Sequence, residues 1–164
     1  MQDLTEIGID VAIRIASLKD SSLVARKLGC DRRILCAAPA YLQAHGEPTS
    51  PAELVNHSCI LLGDEDHWRF VGAQSHEVTA ISGSLRVNCG ESARLAAEGG
   101  LGIVSVSQWN VRASLESGAL VEIMPGCVLE QTRDIWAIYP SARLISSKAR
   151  AFVEFMIAEF QGDF

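Results

Sequence analysis

The stretch from Ser84 to Val106, SLRVNCGESARLAAEGGLGIVSV, decides the fold class. Leu85 and Val87 alternate with polar neighbours, the pattern of a short half-buried strand. Asn88 and Cys89 then lead into a run in which Ala93, Ala96 and Ala97 recur at the spacing of one helix face. Gly99-Gly100 supplies the left-handed conformation that stops a helix, and Leu101 to Val106 is an apolar, β-branched strand. Strand, tight turn, helix, glycine, strand is a βαβ unit, so its strands are expected to be parallel and the fold to be α/β.

The same unit points at function. The first turn of such a helix exposes unpaired N–H groups beside the carboxyl end of a strand, the edge where open α/β sheets hold ligands. Those amides and the positive end of the helix dipole favour a carboxylate, phosphate or sulfate. Asn88, Cys89, Gly90 and Glu91 are therefore the first candidates for a ligand-facing turn. Asn88 reads equally well as the helix cap, and one residue can do both.

Moving outward, 164 residues are enough for one ordinary domain or two small lobes, and 48% hydrophobic with 21% charged residues suits a globular fold. No apolar run approaches the roughly twenty residues of a membrane span, so no membrane partner is expected. MQDLTEIGID lacks the basic and apolar regions of a signal peptide. Five irregularly spaced cysteines, Cys30, Cys36, Cys59, Cys89 and Cys127, form neither a secreted disulfide framework nor a zinc site, and fit a reducing cytoplasm. A net charge of −6 argues against binding nucleic acid through bulk electrostatics. Arg26-Lys27 and Arg32-Arg33 read as solvated faces.

In chain order, Leu4 to Ile7 reads as a helix tail, and Val11, Ile13 and Ile15 mark a strand. Leu23 to Leu28, closed by Gly29, and Arg33 to Ala37 read as two more. Three strands with almost no helix between them give the opening a cut appearance. Pro39 to His45 is a helix stopped by Gly46. Ser50-Pro51-Ala52-Glu53 combines a capping box with proline at the first helical position, giving a helix to about Asn56. Cys59–Leu62, Trp68–Val71, Val78–Ile81, Leu120–Ile123 and Ile135–Tyr139 read as strands. Ser107 can cap a helix to Leu115. The last helix is capped by Ser146 or Ser147 and carries the apolar stripe Ala149, Phe152, Val153, Met156 and Phe160.

Several chemistries are excluded. Gly90-Glu91-Ser92 opens a helix after a strand, as a hydrolase nucleophile elbow does, but Arg94 replaces its second glycine and no histidine follows His76. Gly99 to Gly102 follows its helix instead of preceding it, so it cannot cradle phosphate as a P-loop does. Asp64-Glu65-Asp66 lacks the ligand count of a calcium loop and reads as a solvated turn. Cys89 at a helix start is a candidate for a lowered pKa, with no base placed near it by the sequence. Neither a metal nor a cofactor is implied.

Four segments in register carry a family resemblance: IDVAIRIASLKDSSLVARKLG (Ile9–Gly29), RRILCAAPAYLQAHGEPTSPAELVNHSCILL (Arg32–Leu62), SGSLRVNCGESARLAAEGGLGIVSVSQWNV (Ser82–Val111) and IWAIYPSARLISSKARAFVEFMIAEF (Ile135–Phe160). Over essentially its whole length the chain resembles the effector-binding domain of LysR-type transcriptional regulators. The resemblance implies a periplasmic-binding-protein-like (type 2) fold of two α/β lobes joined by two antiparallel crossover strands, about Arg33–Ala38 and Ile135–Tyr139. Residues 1–33 and 137–164 would form an incomplete lobe I and residues 34–136 lobe II. The DNA-binding winged helix-turn-helix, its linker helix and the first strand, helix and second strand of lobe I would lie ahead of Met1.

The resemblance also implies a small, anionic effector in an inter-lobe cleft, self-association, DNA contact only through the N-terminal domain, and no enzymatic activity. Carried over residue by residue, Ser17, Gly63, Trp68, Asn88, Cys89 and Ser107 would line the cleft, although an aromatic on a strand such as Trp68 is more often core. Cys89 stands where the family usually has aspartate and Ser107 where it usually has proline, which points to a changed effector. Competing readings are a thiol sensor using Cys89, a free-standing solute-binding module and an enzyme.

Overall fold

The computed structural model describes residues 9–15, 24–71, 76–129, 133–139 and 145–162. The expected helix tail at Leu4 to Ile7 and the candidate Ser17 lie outside them. In chain order the described elements begin with strands β1 (Ala12–Ile15), β2 (Val24–Asp31) and β3 (Arg33–Ala37) and helix α1 (Pro39–His45). A 3₁₀ turn (Pro51–Asn56) precedes β4 (Cys59–Leu62), β5 (His67–Val71), β6 (His76–Ala80) and β7 (Arg86–Val87). Then come α2 (Gly90–Glu98), β8 (Ile103–Ser107), α3 (Gln108–Glu116), β9 (Val121–Ile123), β10 (Val128–Leu129), β11 (Arg133–Tyr139) and α4 (Ser147–Gly162).

The chain divides into two compact units, residues 1–31 with 133–164, and residues 32–132. In the first unit β11 lies between β1 and β2, antiparallel to both. Ile135–Tyr139, expected as a crossover strand, thus has both β1 and β2 as its antiparallel neighbours. Leu28 is the extra residue of a bulge, since Ile135 faces Gly29 and Trp136 faces Lys27. α4 covers one face of this sheet. Ala149 and Val153 are buried, with Met156, Ile157 and Phe160 packed on Leu28, Ile135, Ala137 and Tyr139. The stripe is rotated from the expected one. Ile157 takes the inward place, and Phe152 is 44% exposed. The Ser146 hydroxyl accepts the Ala149 N–H at 3.2 Å and caps the helix.

The second unit is built on a five-stranded sheet in the order β7-β4-β8-β3-β9. β4 is parallel to both β7 and β8, so the two strands of the βαβ unit are parallel with β4 inserted between them. β3 is antiparallel to β8 and β9. β3 and β8 read as near-continuous apolar runs because both are buried along almost their whole length. Ala93 and Ala97 of α2 are fully buried in this core; small side chains let the helix lie close to the sheet.

Two glycines clamp the start of β4. A Cβ on Gly83 would sit 1.9 Å from the Cys59 carbonyl oxygen, and one on Gly102 2.3 Å from that of Ser58. Gly102 also has φ +151°, outside the reach of most side chains. A second, antiparallel sheet orders β10-β5-β6. Along β5, Trp68 and Phe70 point into the core at 2% and 4% exposure, the period of two expected of a half-buried strand.

The capping box at Ser50 gives a 3₁₀ turn and not an α-helix. Glu53 reaches back to the Thr49 N–H and hydroxyl, both at 2.9 Å, and the Ser50 hydroxyl donates to Glu53 instead of capping. The His57 N–H donates to the Leu54 carbonyl, closing the segment with a three-residue bond.

Candidate functional site

Three parallel strands of the second unit end at one edge of their sheet. Leu62 pairs with Val87, and Ile60 with Val104. Carried forward, this register sets Gly63 beside Asn88 on one side and Ser107 on the other. The Gly63 N–H donates to the Val87 carbonyl at 2.8 Å, and Gly63 turns away with φ +61°. Two helices start at this edge, α2 immediately after Cys89 and α3 immediately after Ser107. The sequence-marked residues Gly63, Asn88, Cys89 and Ser107 are thus brought together by strand register.

The N-cap of α2 is Cys89 and not Asn88; its backbone is extended, φ −144° and ψ 152°. As a neutral thiol Cys89 makes no side-chain capping bond to α2, although its ionised form is favoured by the Glu91 and Ser92 amides, and Ser107 makes none to α3. Asn88, Cys89, Glu91 and Ser92 are exposed. Such a helix start keeps its first amides available to an anion. The Cys89 Sγ lies 3.2 Å from the Ser92 hydroxyl. Hydrogen bonding from that hydroxyl, and then from the Ser92 backbone, holds the thiol pKa below its ordinary value. The Glu91 carboxyl is held below the usual range by Arg94, whose guanidinium contacts Glu91 at 2.5 Å and Glu98 at 2.6 Å.

Three residues at this edge were not singled out from the sequence. Arg33 faces Ser107 across the β3–β8 pair. Its side chain is only 9% exposed, with one guanidinium nitrogen 2.8 Å from Glu65 and the other donating to the Ser105 carbonyl. Neither Arg33 nor Glu65 is therefore the solvated group its neighbours suggested. Arg32 keeps that character, 61% exposed and 3.4 Å from Glu122. Arg86 donates to the Gly63 and Glu65 carbonyls at 2.6 and 3.1 Å, fastening the turn after β4. Asn110 of α3 places its amide nitrogen 2.6 Å from where a Gly90 side chain would begin, so glycine there lets α3 touch the start of α2. The signal available for Arg33 was its position at the head of an apolar strand, where a charge needs a partner.

Trp68 is elsewhere. Its indole is packed in the core of the second unit at 2% exposure, and its Nε1 has no hydrogen-bond partner. Three of the four histidines are bonded away from this edge. His45 and His57 bond to Tyr41 and His67 to Asp66, so none of these bases is committed to Cys89 or Ser92. Among the described residues no group of three or more His, Cys, Asp and Glu side chains converges as a metal site.

Comparison with known proteins accounts for this architecture. The LysR substrate binding domain family matches residues 1–161. The HTH-type transcriptional activator TtdR of Escherichia coli (strain K12) is 38% identical over 160 residues, 95% of this chain and 51% of TtdR. The chain spans about half the length of the curated relatives it matches. Among solved structures, the regulatory domain of CrgA, a LysR-type transcriptional regulator from Neisseria meningitidis, superposes with a TM-score of 0.84 at 29% identity. That match covers 98% of this chain and 81% of the CrgA chain. Full-length AphB, the Vibrio cholerae virulence activator, gives 0.83 at 31% identity, covering 97% of this chain and 54% of AphB. The fold is the periplasmic-binding-protein-like type 2 fold, and the family is one of regulators, not of enzymes. The chain is a LysR substrate-binding domain and belongs to the family of LysR-type transcriptional regulators.

Proposed function

We propose that this chain is the sensing part of a cytoplasmic transcription factor, with a small organic anion bound at the carboxyl edge of the second unit's sheet. The observation that carries this reading is the convergence of Gly63, Asn88, Cys89 and Ser107 at the starts of two helices, exposed at α2 and half-buried at α3. Helix-start amides favour negative charge, and Asn88, Ser92, Ser107 and Asn110 offer neutral hydrogen bonds for specificity. Among the described residues His45, His57 and His67 are bonded elsewhere, which favours an edge that holds a guest over one that transforms it.

In this reading the parent protein contacts DNA through a helix-turn-helix domain and self-associates. The effector acts by binding two arrangements of the regulator with different affinity, so occupancy biases their equilibrium. Thermal-shift titration with three- to six-carbon mono- and dicarboxylates tests the site. A stabilising acid is expected, with its affinity reduced by Ser107→Ala and raised about two- to fivefold by Glu91→Gln, which removes a competing carboxylate from the α2 start. Failure of every acid to stabilise the protein, or indifference to both substitutions, would remove the reading.

A second reading uses Cys89 as a thiol sensor. It is favoured by the exposure of Cys89 and by the Ser92 hydrogen bond that lowers its pKa. All five cysteines are free, so Cys89 is available to oxidants as a thiol. Iodoacetamide should modify Cys89 at a pH below the ordinary thiol range, and Ser92→Ala should move that profile upward. A profile unmoved by Ser92→Ala would dismiss it.

A further inference from the structure

We propose a second small-molecule site in the first unit, a cavity between its sheet and α4 that takes a monocarboxylate with an apolar body. The cavity, open to solvent, has a volume of about 230 Å³ and is lined by Arg26, Tyr139, Ile145, Arg150, Val153 and Glu154. All six belong to the first unit, and none lies at the edge assigned to the effector.

Its origin is legible in the strand register. Arg26 on β2 pairs with Ala137 on β11, and Tyr139 pairs with Val24. Residues opposite one another share a face, so Arg26 lies on the same face as the buried Ala137 and Tyr139, the face that α4 covers. Arg26, Arg150 and Glu154 are exposed at the margin of that face and rim a hollow open to solvent. The floor is apolar: Val153 is 2% and Tyr139 8% exposed, with Ile145 beside them. The walls are charged and uncommitted. Among the described residues, the side chains of Arg26, Arg150 and Glu154 have no hydrogen-bond or ion-pair partner.

Two guanidiniums against one carboxylate leave a local charge of +1, which selects a monoanion over a dianion or a cation. Arginine presents a planar fork that fits a carboxylate, while Tyr139, Ile145 and Val153 accept the body of the ligand. A pocket of this size, with few polar groups over an apolar floor, has the composition of a small-ligand site. The site is independent of the effector edge, so either can fail without the other.

The test is an NMR titration of the ¹⁵N-labelled chain with sodium benzoate at low salt, with benzyl alcohol as the neutral counterpart. Saturable shifts are expected at the amides of Arg26, Arg150 and Glu154, with an affinity on the order of millimolar, as befits so small a ligand. Arg26→Gln and Arg150→Gln should each weaken binding about two- to fivefold, and Glu154→Gln should tighten it about twofold. Opposite signs from three exposed positions are not produced by a purely structural change. Three results would overturn the proposal: no saturation by about 20 mM, equal binding of benzyl alcohol, or benzoate shifts that ignore all three substitutions.

Discussion

Trp68 offers the sharpest separation between a core role and a site role. The side chain is 2% exposed among apolar neighbours, and its indole N–H is buried without an acceptor. Truncation to alanine removes a large buried aromatic and leaves a hole, a change that costs about 3–5 kcal/mol. For a chain of this size each kcal/mol moves Tm by about 2–4 °C, so a 4 kcal/mol loss lowers it by about 8–16 °C. Trp68→Phe behaves differently. It gives up part of the packing, worth about 1–2 kcal/mol, but also removes an unsatisfied donor whose burial costs about 1–3 kcal/mol. The two effects nearly cancel, and Tm should stay within a few degrees of the parent. Far-UV circular dichroism in thermal and urea unfolding is the appropriate assay, because both substitutions delete a fluorescent reporter. The reasoning fails if Trp68→Ala melts with the parent, and equally if phenylalanine is as damaging as alanine, which would mean the indole N–H is satisfied.

The start of β4 and the start of α2 predict opposite tolerance of the same change. Gly83→Ala brings a Cβ to 1.9 Å from a backbone carbonyl that cannot move away, since the Cys59 N–H is itself held by the Ser82 carbonyl at 2.8 Å; a loss of more than about 3 kcal/mol in urea unfolding is expected. Gly90→Ala meets only the swinging amide of Asn110, so stability should change by less than about 1 kcal/mol while anion binding at the edge shifts. Burial pushes the Cys36 and Cys59 thiols up to about 12 from an ordinary 9.0. The unfolded chain ionises them first, so the stability due to the neutral buried thiols is complete below about pH 9 and is lost as pH rises toward 12, at roughly 1.4 kcal/mol per pH unit for each thiol. Unfolding measured across that range should show the decline, and Cys59→Ala should about halve this part of its slope. Arg33→Ala strands Glu65 and the Ser105 carbonyl and should cost about 2–3 kcal/mol, whereas Arg32→Ala, at an exposed pair, should cost less than about 1 kcal/mol; similar losses at both positions would contradict the burial of Arg33.

What the sequence could convey was whatever depends on periodicity and on glycine. The run from Leu85 to Val106 announces strand, helix and strand, and the parallel sense of β7 and β8 follows from their connection. It does not announce that β4 lies between them, because that depends on pairing with a segment more than twenty residues earlier. Caps were legible to within one residue: Asn88 and Cys89 are both plausible, and the extended backbone at Cys89 decides it. The 3₁₀ turn after Ser50 escaped because Glu53 had a closer partner in Thr49 than in the cap. Phe152 escaped because the apolar stripe of α4 is wide enough to fit two rotations, and only contact with the sheet selects one. Asn88 and Cys89 were marked by the strand–turn–helix pattern and Gly63 and Ser107 by the family resemblance, and register gathers all four. Arg33, Arg86 and Asn110 were missed because their roles rest on pairings across the sheet that no local pattern encodes.

The second unit is one unbroken run of chain, whereas the first is assembled from two runs that flank it. A nascent polypeptide leaving the ribosome can therefore complete the second unit while β11 and α4 are still unmade. The first unit must wait, because β2 finds its partner only after about a hundred intervening residues have emerged, a closure that is entropically slow unless those residues are already compact. Early collapse of the inserted run brings the ends of β2 and β11 together, Asp31 opposite Arg133, and turns a distant encounter into a nearly local one. Defects that slow the inserted run should consequently be felt as misfolding of the run that surrounds it.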